Sequence, residues 1–188
     1  QLGFPTDHAQ LLQRTIGACE RRKFEFDLHP IRTRGRPTLA WARLDVDQNT
    51  GVALIEEVQS DWLRFVRTYL KGLGRERPRS RVLRNTQAYE AGLTAQYDKV
   101  WAKALMSHVL ILLRDRLGMR EVFMHQPLPG AMLKWIEYDM PPRSLYTELP
   151  KSFCFAPTRD VPDFLRIKRR KHLRRLDRTK PLFWKMSF

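Results

Sequence analysis

The stretch Gly51–Trp62, GVALIEEVQSDW, limits the available folds more than any other part of the chain. Val52–Val58 is β-branched and aliphatic, follows the turn residues 48–51, and predicts a strand. With a side-chain period of two, Val52, Leu54, Glu56 and Val58 share one face, and Ala53, Ile55, Glu57 and Gln59 share the other. Two adjacent carboxylates therefore sit inside an apolar run. Burying a carboxylate without partners is costly, so each needs a cation, N–H donors or water beside it. This places the richest chemistry at the C-terminal end of the strand. It also sets a limit, because carboxylates on opposite faces make no side-by-side acid/base pair unless a bulge re-aims one. The plainer role for Glu56 and Glu57 is as core-edge partners of arginines.

The flanking segments read in order. Thr6–Arg22 predicts a helix with an apolar stripe of Leu11, Leu12, Ile16 and Cys19. Phe24–Leu28 and Thr38–Val46 alternate as strands, so that with Val52–Val58 they make an antiparallel meander. Ser60 is a plausible N-cap for a helix built on Trp62, Phe65, Val66, Tyr69, Leu70 and Leu73. Thr86–Gly118 predicts one long central helix with Tyr97, Val100, Trp101, Ala104, Leu105, His108, Val109 and Leu112 on a single face. On that face His108 is expected as a hydrogen-bonded core histidine. A strand at Arg120–His125 after this helix implies a crossover and a parallel pairing. Pro129–Tyr138 predicts a short helix ended by Pro141 and Pro142, and Ser152–Phe155 another strand. The tail from Arg159 reads as a basic helix pinned by the aromatic end Leu182, Phe183, Trp184 and Phe188.

Charge supplies the functional argument. There are 35 Lys and Arg against 20 Asp and Glu, a net charge of +15. Such an excess repels itself unless an anion compensates it, which points to nucleic acid or an anionic surface. Arginine matches phosphate oxygens in two-pronged fashion. Two clusters concentrate it. Arg64, Arg67 and Lys71 lie opposite the apolar face of their helix and run into Arg75, Arg77, Arg79, Arg81 and Arg84, with the GLGRERPRSR segment read as an exposed, mobile loop. The tail adds Arg166, Lys168, Arg169, Arg170, Lys171, Arg174, Arg175 and Arg178. A solvated helix face and a solubilising tail are the bland alternatives. Two cysteines, Cys19 and Cys154, without a CxxC partner suit a reducing compartment, and no transmembrane run is present, so a cytoplasmic location is expected.

IEEVQSDW together with PPRSLYTELPKSFCF resembles a family of uncharacterised bacterial proteins. The first segment, with the helix and strand over Trp101–His125, is also similar to a domain of the large polyvalent proteins of phages and mobile elements. The coarse order of elements is similar to a GNAT acyltransferase. That likeness implies a glutamate general base, at Glu56 or Glu57, and a tyrosine general acid, at Tyr138 or Tyr146. It also implies acetyl-CoA, although no Q/R-x-x-G-x-G/A pyrophosphate loop leads into the central helix.

The sequence thus predicts a single α/β (or α+β) domain with a mixed sheet, over residues 1–158, with a basic insertion at about 72–86 and a basic extension at 159–188. Its first functional reading is a nucleic-acid-associated protein. The second is a GNAT-like group-transfer enzyme using Glu56, Glu57, Gln59, Asp61, His125 and Tyr146. The third is a protein that docks an acidic partner. Glu56, Glu57, Asp61, His108 and His125 have no diagnostic metal-ligand spacing, and no metal is expected.

Overall fold

The strand through Val52–Val58 forms as the hydrophobic alternation requires, and the sheet is built outward from it. The computed structural model describes residues 1–16, 32–33, 36–136, 142–177 and 179–188. Its strands are β1 (Leu2–Gly3), β2 (Arg32–Thr33), β3 (Arg36–Asp47), β4 (Val52–Gln59), β5 (Glu121–His125), β6 (Ala156–Thr158) and β7 (Phe183–Ser187). They lie in the order β1-β3-β4-β5-β7-β6, with β2 paired to β3. β4 and β5 are parallel, from Val52↔Glu121 to Ile55↔Met124. β5–β7 and β6–β7 are antiparallel. The fold is mixed α/β, and the crossover from β4 to β5 through intervening helices matches the reading of 86–125.

The helices are α1 (Asp7–Thr15), α2 (Asp61–Glu76), α3 (Arg81–Leu93), α4 (Trp101–Ile111), α5 (Pro127–Lys134), α6 (Glu148–Ser152), α7 (Asp163–Lys168) and α8 (Arg170–Leu173). Ser60 caps α2 as expected, its hydroxyl accepting from Leu63 N–H at 3.4 Å. The chain packs as two compact units, one of residues 1–41 and 59–105, the other of 42–58 and 106–188. In the first, Tyr89 is completely buried. Its hydroxyl lies 2.7 Å from Trp62 Nε1 and 2.8 Å from His8 Nε2. Phe4 stacks on His8 with ring centroids 3.7 Å apart. In the second unit Leu54, Phe123, Leu133, Leu165, Leu182 and Phe183 form the core between sheet and helices.

Several expectations need correction. The GLGRERPRSR segment is not a loop: α2 continues to Glu76 and α3 starts at Arg81, leaving 77–80 as the only break. Ser80 supplies the reason, since its hydroxyl accepts from Leu83 N–H at 3.1 Å and starts α3 five residues before Thr86. The long helix predicted from Thr86 is divided. A π-helical turn at Thr94–Asp98 and a turn at 99–100 separate α3 from α4, and a second π turn covers Leu112–Arg116. The inward arc of α4 is Trp101, Leu105, Met106 and Val109, which leaves Val100, Ile111 and Leu112 exposed and makes His108 a surface residue rather than a core one.

α5 ends at Lys134, before the prolines, because Trp135 turns into the left-handed region at φ 58°. The strand placed at Ser152–Phe155 lies instead at Ala156–Thr158. Residues 148–152 are helical, and Cys154 turns the chain with φ 61°. The tail folds as two short helices, and its aromatic end does more than pin it: Phe183–Ser187 becomes β7, between β5 and β6. The predicted strand Phe24–Leu28, the end of the first helix beyond Ile16, Cys19 and Tyr138 lie outside the described residues.

One close approach fixes α5 against β5. A Cβ on Gly130 would lie 2.7 Å from His125 Cβ and 3.1 Å from His125 Cγ, neither a flexible chain end. Gly130→Ala is therefore expected to lower unfolding stability by about 1–3 kcal/mol in denaturant titration, whereas Gly74→Ala, with open space around it, is expected not to destabilise.

Candidate functional site

The parallel pairing of β4 with β5 stops at Ile55, while β4 runs on to Gln59. Past that point side chains replace the missing strand partners. The Lys134 ammonium donates to the Glu56 carbonyl, and Val58 N–H donates to the Tyr146 hydroxyl at 3.4 Å. Lys134 comes from the last turn of α5, where the helix dipole favours a cation. Tyr146 comes from the 3₁₀ turn Arg143–Tyr146, whose carbonyl oxygen at Tyr146 accepts from Trp184 Nε1 at 2.8 Å. Backbone groups that would otherwise be buried without partners are thereby satisfied.

The carboxylates gather on the same cations. Glu56 Oε2 lies 3.2 Å from Lys134 Nζ, 3.2 Å from His125 Nε2 and 3.9 Å from Arg43 Nη2. Glu57 Oε1 lies 2.9 Å from Arg43 Nη2 and 3.7 Å from Lys134 Nζ. The two faces of the strand thus share one pair of cations, with no acid/base pairing of the glutamates themselves. Burial opposes the charge on Glu56, yet His125 and Lys134 overcome it and hold the carboxyl down to about 2. His125 is 2% exposed, and burial keeps it neutral despite Glu56. Burial likewise lowers Lys134, against the pull of Glu56 and Glu57. An ionised Glu56 only accepts, so the His125 proton sits on Nε2. Nδ1 is then a bare lone pair, buried and without a hydrogen-bond partner among the described residues. Burial and the nearby carboxylates push Tyr146 up to about 12, which keeps it a phenol at neutral pH.

Gln59 and Asp61 belong to the other unit and make a helix start. Trp41 Nε1 donates to Asp61 Oδ2 at 2.7 Å, Gln59 Nε2 donates to Asp61 Oδ1, and Arg64 lies 3.6 Å from the same carboxylate. Asp61 in the first turn of α2 suits the positive end of the dipole. Of the six residues expected around a reaction centre, Glu56, Glu57, His125 and Tyr146 share one unit. Lys134 and Arg43 were not foreseen. Lys134 was visible as the one cation in PGAMLKW, and Arg43 as a cation in the alternating strand ending at Val46.

The basic clusters divide into matched and unmatched groups. Arg67 is committed within its unit, 2.7 Å from Asp98 and 3.4 Å from Glu90. Arg64 and Arg166 each pair with an acid three residues earlier. In contrast Lys71, Arg75, Arg77, Arg79 and Arg81 are exposed and form no ion pair among the described residues, and Arg84 donates only to the Arg79 carbonyl at 3.1 Å. Arg169, Arg170, Lys171 and Arg174 are likewise exposed and unpaired, and Arg175 lies over the Trp135 ring. The Lys168 side chain and Arg178 lie outside the described residues.

No family model, curated protein or solved structure matches this chain. No helix among the described residues is long and apolar enough to cross a membrane, and no group of three His, Cys, Asp or Glu is placed to hold a metal ion.

The cluster sets an acid limb of stability. Glu56 titrates below its ordinary value, so its contribution is complete above pH 4.5 and is lost as pH falls toward about 2. His125 is held below 6.5, so the unfolded chain takes a proton that the folded one refuses, and stability also falls as pH drops below 6.5. Chemical denaturation across pH is expected to show both limbs, with His125→Gln removing the upper one. Glu56→Gln, which leaves the buried Lys134 only the more distant Glu57, at 3.7 Å, as an anion among the described residues, is expected to cost roughly 3 kcal/mol at pH 7. An unchanged melting temperature in Glu56→Gln would assign the carboxylate to chemistry instead of to the fold.

Proposed function

We propose that this protein binds nucleic acid through its two arginine-rich segments, Lys71–Arg84 and Arg169–Arg175. The observation that carries the reading is the set of exposed cations in these segments that no acid of the chain neutralises among the described residues. Self-repulsion of a chain at +15 is relieved when phosphates neutralise its cations, and counterions released from the nucleic acid add to the driving force. Arg64, Arg67 and Arg166 contribute less than their neighbours, since an acid already holds each of them. A cytoplasmic location belongs to the same reading.

A second reading, a GNAT-like group-transfer enzyme centred on Glu56, is favoured by the Glu56–His125 hydrogen bond, which leaves Nδ1 as an unprotonated base. The carboxylate cluster weighs against it. Two cations and two glutamates already balance, and the His125 ring is closed to solvent.

The test is a titration of duplex and single-stranded oligonucleotides at several salt concentrations. Affinity is expected to fall by orders of magnitude between ~50 and ~200 mM salt. Changing Arg75, Arg77, Arg79 and Arg81 together to Gln should flatten the log–log salt slope by about one per arginine that meets a phosphate. A salt-independent affinity, or capture of an acidic protein with no nucleic acid bound, overturns the proposal.

A further inference from the structure

Five tryptophans are present, and four serve the interior: Trp41, Trp62, Trp101 and Trp184 are each 7% exposed or less. Trp135 is 60% exposed. Its backbone is in the left-handed region, at φ 58° and ψ 36°, where Gly or Asn ordinarily stops a helix. An indole at this position gains little burial and forgoes the residue the backbone prefers. Its surroundings differ from those of a stray surface aromatic. The Arg175 guanidinium lies 5.8 Å from the ring centroid, and the His172 ring meets it edge-to-face at 5.0 Å. Arg169, Arg170, Lys171 and Arg174 lie in the same short stretch as these two, exposed and in no ion pair among the described residues. Leu128 and Met132, two turns and one turn earlier on α5, are exposed as well.

Phosphate recognition alone explains the cations but not the ring. A duplex stacks its bases on one another, so an exposed indole among phosphate-binding groups meets a base face only where the strand is unpaired. Resting on the nucleic-acid reading above, we propose that Trp135 is a stacking platform for an unpaired base of a single-stranded nucleic acid. Arg169, Arg170, Lys171 and Arg174 hold the adjoining phosphates. Arg175 is pre-positioned over the indole as a cation–π partner.

The experiment is a fluorescence-anisotropy titration of the full chain with labelled oligothymidylate and with a duplex of equal length. Wild type is expected to favour the single strand. Trp135→Ala should weaken oligothymidylate binding about tenfold, with duplex binding and the salt slope unchanged, and Trp135→Phe should retain most of the affinity. Trp135→Gly controls for folding: it suits the left-handed backbone, so its melting temperature should equal or exceed that of wild type while its single-strand affinity falls. An Ala variant that binds both probes as wild type does, or loses both equally, overturns the platform and leaves polyanion binding standing. Wild type binding neither probe overturns both. Emission from Trp135, taken as wild type minus Trp135→Phe, that shifts on phosphatidylserine vesicles and not on oligothymidylate assigns the ring to a membrane surface and overturns the proposal.

Discussion

The unit formed by residues 42–58 and 106–188 depends on what happens where β4 and β5 part. Parallel strands that stop pairing leave N–H and C=O groups in a dry place, where each costs as much as a lost hydrogen bond. Lys134 and Tyr146 stand in for the missing strand, and Lys134 brings a charge with it. That charge needs an anion close by, which Glu56 provides, and Glu56 in turn sets the tautomer of His125. Backbone geometry, ion pairing and protonation are thus one linked arrangement. Removing any member leaves another buried without its complement.

The same rule separates the paired charges from the unpaired ones. Glu56, Glu57 and Arg67 reach opposite charges fixed by the fold, and their neighbours hold them there. The cations beyond Arg67 on α2 and those around α8 have no such anchor among the described residues. A long guanidinium in water gains little from a single surface acid, so leaving these cations unmatched costs the fold almost nothing. It also leaves them available to a dense line of phosphates, where each contact releases a counterion.

Much of the sheet could be read from residue order, because strand alternation and N-caps are local signals. Val52–Val58 and the Ser60 cap follow directly from side-chain period and chemistry. The parallel crossover was legible from the glycine stop at Gly118 and the apolar run after it. What escaped were features set by contacts distant in sequence or by backbone detail. A π turn leaves no mark in the apolar spacing, so nothing local divides the stretch from Thr86 to Gly118 into separate helices. Helix α3 began early because Ser80 outranks the arginines around it as a local signal. Only the ionic partners of Glu56 were anticipated in kind. Their identity depended on α5 returning to the end of β4, which no local pattern encodes.

The position of β7 has a consequence for how this unit assembles. β5 lies between a partner it meets early, β4, and one that arrives only after the segments carrying β6, α7 and α8 have been made. Until then β5 presents an unsatisfied edge of Val, Phe and Met, the kind of surface that recruits strands from other molecules. Pairings so far apart in sequence form slowly. A ribosome-bound or prematurely ended chain lacking Phe183–Ser187 would therefore be a substrate for chaperones or aggregation, whatever the soundness of the part already made.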